Sequence, residues 1–285
     1  MLFSKILKRV FTVFILTLIS LTAMAQGAKP AFWKVEHQGT TSYMLGSVHI
    51  GASHWYPLAP EIMKGFSNAK QLVVELDATD PVTAIAMQQQ MMLPKGKTLK
   101  SELTPATYQK LSEHMAKMGM PIAVVEPYKP WAAATVVSVL PFLRAQLAPQ
   151  YGVDAQFIAR AKQNNMPLIE LETAQFQIDM LEKTFSDEKM LVEIIDLPAQ
   201  EALKLITLWE QGKMDGIEQL MVEQMSAEQI DEMLIKRNQD WIPKLGKLFN
   251  GKESTFVVVG AAHMIGEYGV PTLLSKAGYK VTRIQ

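Results

Sequence analysis

Two apolar runs, one near each end of the chain, finish in the same way. Residues 43–51 read YMLGSVHIG and residues 257–266 read VVVGAAHMIG, each reaching Gly-x-x-His and then turning through small residues. His49 and His263 stand 214 positions apart in a chain with only five histidines. Short apolar runs bounded by turn residues have the length of buried strands, and most of the sequence between them is helical in pattern. Strands from the two ends must therefore meet, with the intervening helices laid over them. The expected fold is α/β: a central mixed sheet built from N-terminal and C-terminal strands, covered by helices, with a large helical insertion.

Local signals fill in this outline. Two strand-like runs within residues 31–51 are separated by His37-Gln38-Gly39, a hairpin signal. A helix is expected to open near Pro60, where proline is tolerated in a first turn. QLVVELD (71–77) has the continuous apolar character of a strand buried on both faces. From 81 to about 147 the pattern is helical, with breaks near 94–96 and 119–121. Residues 151–173, YGVDAQFIARAKQNNMPLIELET, read as helix, Asn-Asn turn and strand. Residues 174–249 are again helical, and the chain closes with strand, helix, a stop at Gly278 and a last strand. No repeat, linker or low-complexity tract divides it, so one domain over residues 26–285 is expected. A hydrophobic share of 48% supplies a substantial core.

The first 25 residues carry Lys5, Lys8 and Arg9, then an apolar run over 10–21, then Ala23-Met24-Ala25. These are the parts of a secretory signal peptide cleaved after Ala25, and a periplasmic or secreted location is expected. The run is shorter than the about 20 residues that span a bilayer. Its removal takes three of 28 Lys+Arg and none of 28 Asp+Glu, leaving a net charge of −3. A nucleic-acid partner, which favours a basic face, is not expected. The absence of cysteine excludes disulfides, thiolate metal sites and a lipid-modified cysteine. No further segment reads as membrane-spanning, so no stable membrane insertion is expected after the leader is removed. Neither a phosphate-binding P-loop nor a G-x-G-x-x-G fingerprint occurs, and a G-x-S-x-G nucleophile elbow is also missing.

The chemistry concentrates at strand ends. Ligands of open α/β sheets bind outside the carboxyl ends of the strands, where both histidines are expected to lie. Gly46 and Gly260 suit places where the backbone adopts a conformation that tolerates no Cβ or passes close to another segment. Glu75 follows an apolar run in LVVELD, and Glu170 and Glu172 alternate in PLIELET. A carboxylate ending an apolar run is costly unless paired or bound to a metal. Two histidines and a glutamate with one open position form a recognised ligand set for a catalytic divalent ion. A single histidine after a strand is more often an ordinary loop or core residue; the repetition is what singles these two out. His54, five residues after His49, is expected on the loop surface, with support of His49 as the alternative, while His37 and His114 read as structural or solvated.

A second anomaly lies in residues 227–249, AEQIDEMLIKRNQDWIPKLGKLF. Ile230, Met233, Leu234, Trp241, Leu245 and Leu248 form an apolar stripe at helical spacing, and Arg237 and Asn238 fall inside it. A guanidinium aimed at the core needs a carboxylate or an anionic ligand. It can pair with Glu75 or Glu172, or stabilise an oxyanion. The 18 methionines read as core filler, and PYKPWAAATVVSVLPFLRAQL (127–147) reads as a buried core helix.

With the paired Gly-x-x-His ends, VVELD, LIELET and RNQDW, the chain resembles the TraB/GumN family, related to the TIKI-type proteins, from residue 32 to 284. The resemblance implies a compact α/β core similar to the erythromycin-esterase and ChaN-like folds. It also implies manganese- or cobalt-dependent proteolysis (zinc being a further candidate), with His49, Glu75 and His263 at the metal. Arg237, Asn238 and Glu172 match further family positions; Lys236 stands where many members have an acid. The expected activity is that of an exported metal-dependent hydrolase acting on peptides or small molecules. In it Glu172 is expected as general base, and Arg237 and Asn238 orient substrate. A metal-free His/Glu hydrolase, and a binding protein for haem, metal or peptide without turnover, are the alternatives.

Overall fold

The computed structural model describes residues 27–285, so the expected leader lies outside the described residues. The chain opens with β1 (Phe32–His37) and β2 (Thr40–Ser47), paired antiparallel from Phe32↔Leu45 to His37↔Thr40. Gln38 and Gly39 both take positive φ, 45° and 83°, as a tight two-residue hairpin requires. Next come α1 (Pro60–Asn68) and β3 (Gln71–Val74). α1 starts on its proline and buries Ile62, Gly65 and Phe66. A Cβ on Gly65 would approach the Phe32 ring to 2.9 Å, so the missing side chain is what lets α1 lie on the sheet.

The helical segment follows. It comprises α2 (Pro81–Met91), α3 (Pro105–Lys117), α4 (Pro130–Arg144) and α5 (Val153–Gln163). β4 (Leu168–Glu170) interrupts it. It resumes with α6 (Ala174–Thr184), α7 (Glu188–Asp196), α8 (Ala199–Glu210), α9 (Met214–Gln224) and α10 (Lys236–Phe249). The expected single helical stretches are thus broken more often than the sequence signals show, chiefly at Ser/Thr/Asp caps and prolines. β5 (Thr255–Gly260), α11 (Val270–Lys276) and β6 (Lys280–Arg283) end the chain.

The six strands form one mixed sheet in the order β4-β3-β5-β2-β1-β6. β4, β3, β5 and β2 run parallel; β1 pairs antiparallel with β2, and β6 pairs antiparallel with β1. β5, from the far end of the chain, lies between β3 and β2 and is buried along its length except at Gly260. The sheet core joins Phe32, Leu45, Val73, Phe256 and Val258 to Phe66 of α1 and Phe157 of α5. A second cluster, with Leu99, Leu111, Met115, Val137 and Leu191, sits among the inserted helices. Within residues 127–147, Pro130–Arg144 form the core helix α4, which buries Trp131, Ala132, Val137 and Leu140. Met115 is fully buried, and Met87 and Met91 pack beside Trp131 and Ile178. Among the described residues no helix is long and apolar enough to cross a membrane.

Candidate active site at the carboxyl ends of the strands

The parallel register determines what meets at the edge of the sheet. β2 and β5 are neighbours, with Ser47 opposite Gly260, and β3 flanks β5 on its other side. His49, Glu75, Glu172 and His263 each follow the last residue of a parallel strand by one to three positions, all at the same edge. Neither glycine of the two motifs needs a left-handed backbone. A Cβ on Gly46 would instead meet Ala261 at 3.2 Å, and one on Gly260 would meet Glu75 Oε1 at 3.2 Å. Close approach, not φ, explains both.

Glu75 lies at the floor and is buried. Its Oε1 accepts from Gly260 N–H at 2.7 Å, and its Oε2 takes Arg237 Nη2 at 2.5 Å. Burial raises a carboxyl pKa, but here His263, Arg237, His49 and the Gly260 N–H outweigh it and hold Glu75 at about 2. Arg237 also grips Glu172 through Nε at 2.7 Å and Nη2 at 2.8 Å. Such forked contact is what a guanidinium offers and an ammonium does not. Glu172 further accepts from Trp241 Nε1 at 2.9 Å and Gln177 Nε2 at 3.1 Å. Those four bonds occupy the lone pairs of its carboxylate. The general-base role expected of Glu172 does not fit this surrounding, because no acceptor site is left to take a proton from water. Glu170, its partner in the PLIELET pattern, is exposed and accepts from Asp77 N at 2.7 Å.

Arg237 and Asn238 reach this position from the start of α10, directly after a π turn over Asp231–Ile235. Such insertions are frequent at functional sites, and Met233 within it gives its carbonyl to Arg237 Nη1 at 2.9 Å. Asn238 Nδ2 donates to the carbonyls of Tyr268 (2.7 Å) and His263 (3.4 Å). Since those partners only accept, Asn238 Oδ1 must face His263 Nδ1, at 2.6 Å, and Nδ1 carries the hydrogen. His263 Nε2 is then a bare lone pair 3.8 Å from Glu75 Oε1. The ring lies against Trp241, centroids 4.3 Å apart. Burial, helped by Arg237 and His49 against the pull of Glu75, drives its pKa to about 3, so it is neutral.

His49 stands at the rim, its side chain 71% exposed. Its Nδ1 is 2.9 Å from Asp154 Oδ2, a residue of α5 that the sequence signals did not single out. Asp154, by charge and then by hydrogen bond, raises His49 to about 9, with burial opposing; surrounding water screens part of that attraction. His49 and Glu75 line a cleft of about 450 Å³ together with Asp154, Thr79, Gln150 and Gln177. His263 is buried and does not line this cleft. A larger cleft of about 860 Å³ among the inserted helices, lined by residues such as Lys183, Met190 and Glu228, contains no histidine and none of this chemistry. His54 lines a separate pocket beside Trp55 and Glu210, away from His49, and His37 lies against Tyr279.

Two further groups complete the arrangement without a clear mark in the sequence. Asp154 looks like an ordinary acid in a helix first turn, and Gln177 like a surface residue of α6. Trp241 was legible only as part of the apolar stripe, not as a donor to Glu172. Among the described residues, no three His, Asp or Glu side chains stand in a geometry that clasps a single ion. The donor chemistry nevertheless fits one. Both imidazoles commit Nδ1 to a partner, the usual setting of a ligating histidine; Nε2 is bare in His263, and in His49 it becomes available to an ion when the imidazolium gives up its proton. The 3.8 Å between His263 Nε2 and Glu75 Oε1 is within what two ligands at about 2 Å from one ion leave between them. The buried cluster also holds one guanidinium against two carboxylates, an imbalance that a cation would offset.

The sequence profile of the TraB/PrgY/gumN family matches residues 31–283. YbaP of Shigella flexneri, an uncharacterized protein, is 28% identical over 239 residues, 82% of this chain and 87% of its own length. YbaP of Escherichia coli K12 is 27% identical over 238 residues, with 81% and 87% covered. Metalloprotease TIKI2 of Danio rerio is 22% identical over 298 residues. That alignment takes in 84% of this chain but only 58% of TIKI2. No solved structure matches the chain. The matched span runs from β1 to the end of β6 and takes in both Gly-x-x-His strand ends: the chain belongs to the TraB/PrgY/gumN family.

Proposed function

We propose that this protein is a metal-dependent hydrolase of peptide bonds, working at the cleft between His49 and Glu75. The observation that carries the reading is the approach of His263 Nε2 to Glu75 Oε1 at 3.8 Å, with His263 Nδ1 held by Asn238, Glu75 Oε2 by Arg237 and Oε1 taking one bond, from Gly260 N–H. The metalloprotease name of the TIKI relatives supports it. His49, Glu75 and His263 would hold a divalent ion, manganese or cobalt by the family resemblance. When bound, such an ion would supply Lewis acidity, polarising a scissile carbonyl and lowering the pKa of the attacking water toward about 7.

The chain's own residues do the rest. Arg237 holds Glu75 ionised and aimed, Glu172 anchors Arg237, and Asn238 fixes the His263 ring. Arg237 is therefore a positioning residue, with four of its five N–H hydrogens given to Glu75, Glu172 and Met233. Incubating purified residues 26–285 with a peptide library, with and without Mn²⁺ or Co²⁺, tests the reading. Cleavage that needs the ion and is lost in His263→Ala is expected; no cleavage under any condition would end the hydrolase assignment.

One observation favours a metal-free variant of the same chemistry. Asp154 keeps a proton on His49, which suits an imidazolium that protonates a leaving nitrogen. Full activity after exhaustive chelation would select that version. Export of the protein is part of the proposal and rests on residues 1–25.

A further inference from the structure

We propose that Asp154 is a positioning residue that aims His49 at the divalent ion; the role rests on the metal reading above. The loop that carries His49 is sewn to the start of α5, which carries Asp154. Val153 N–H donates to Val48 O at 2.9 Å, and Gly51 and Ala148 exchange two backbone hydrogen bonds, at 3.1 and 2.8 Å. The two segments approach too closely for side chains between them. A Cβ on Gly51 would lie 2.1 Å from Tyr151 O, and one on Gly152 would lie 2.4 Å from His49 O. The two backbones are thereby held as one piece.

Within that frame Asp154 uses both oxygens. Oδ1 accepts from the buried Ser47 Oγ at 2.5 Å, and Oδ2 faces His49 Nδ1 at 2.9 Å. An ionised carboxylate only accepts, so Nδ1 carries the hydrogen. Nε2 is then the free atom of a ring that lines the cleft. A ring this exposed has no packing to hold it; the Asp154 bond is what removes its rotational freedom. Carboxylates that hold a ligating imidazole in this way contribute about 10–100-fold to metal affinity.

The experiment uses residues 26–285 as wild type and as Asp154→Asn, Ser47→Ala and His49→Ala. Mn²⁺ and Co²⁺ affinities are measured by titration calorimetry, and histidine Nδ1–H resonances by NMR on the metal-free protein. Asp154→Asn is expected to lower metal affinity about 10–100-fold and to lose one downfield Nδ1–H signal, while far-UV circular dichroism is unchanged. Ser47→Ala, which loosens Asp154 without touching His49, is expected to give a smaller loss in the same direction. If His49→Ala binds metal poorly but Asp154→Asn and Ser47→Ala behave as wild type, the role of Asp154 is overturned and the metal reading stands. If His49→Ala binds metal as the wild type does, the metal reading itself fails and takes this role with it.

Discussion

At the scale of single residues, the site is a problem of buried charge. Arg237 is 5% exposed and its partners Glu75 and Glu172 are 7% and 8% exposed. Taking one member away strands the others in a poorly solvated place. Arg237→Met is expected to destabilise the protein by about 3–5 kcal/mol, the range for a broken buried pair, read as a shift of the urea midpoint. Arg237→Lys is expected to recover only part of this, since an ammonium does not reproduce the fork. The pKa shifts carry a sign. Glu75 is held at about 2 against an ordinary 4.5, and His263 at about 3 against 6.5. Both groups bind protons more tightly when unfolded, so their stabilisation is complete above about pH 6.5 and is lost as pH falls through 4.5 toward 2. The urea midpoint of the metal-free protein should therefore drop steeply below pH 6, and less steeply in His263→Gln. His49 behaves oppositely: its proton is held to about pH 9, and a ligand must lose it. Metal uptake at pH 7.5 should release close to one proton, measured by calorimetry in buffers of different ionisation heat.

At the scale of elements, glycines separate what shapes the site from what only shapes the fold. Gly39 turns the β1–β2 hairpin at φ 83°, with nothing near its missing Cβ. Gly39→Ala is expected to cost about 1 kcal/mol and to leave metal affinity unchanged. Gly152→Ala drives a methyl at the His49 carbonyl and is expected to displace the His49 loop, weakening metal binding together with stability. The two variants are compared by urea titration and calorimetry. Element scale is also where sequence signals were most informative. The hairpin at Gln38-Gly39, the helix from Pro60, the strand of QLVV and the helix-turn-strand of residues 151–173 each follow from a local rule of period, proline or turn chemistry. The helix boundaries between 81 and 147 were less legible, because Thr and Asp serve there as caps, which only their hydrogen bonds reveal. Asp154 was illegible for a related reason: an acid in a first helical turn is common, and nothing local tells one that caps a dipole from one that holds a histidine 105 residues away.

At the scale of the whole molecule, β5 is the keystone: a strand from residues 255–260 inserted between strands that begin the chain. A chain truncated after residue 250 would leave β2 and β3 with no partner on facing edges and Glu75 without Gly260 and His263. Such a chain is expected to lose the protease resistance of the sheet core while keeping much of its helical circular dichroism, since the second cluster draws on residues 99–195. Resistance equal to that of the full chain would contradict the central place of β5. The sequence by itself determined that two Gly-x-x-His strand ends exist, that the sheet is assembled from both ends, and that Arg237 points inward, because apolar period and turn residues act over a few positions. Glu75 and Glu172 were candidate partners of Arg237 from the sequence; only the tertiary structure decided that both face it at once, and which of 28 acids faces His49: Asp154. Those partners are separated by 65 to 162 residues. A carboxylate has the same chemistry wherever it stands; burial and register decide which one is close enough to matter.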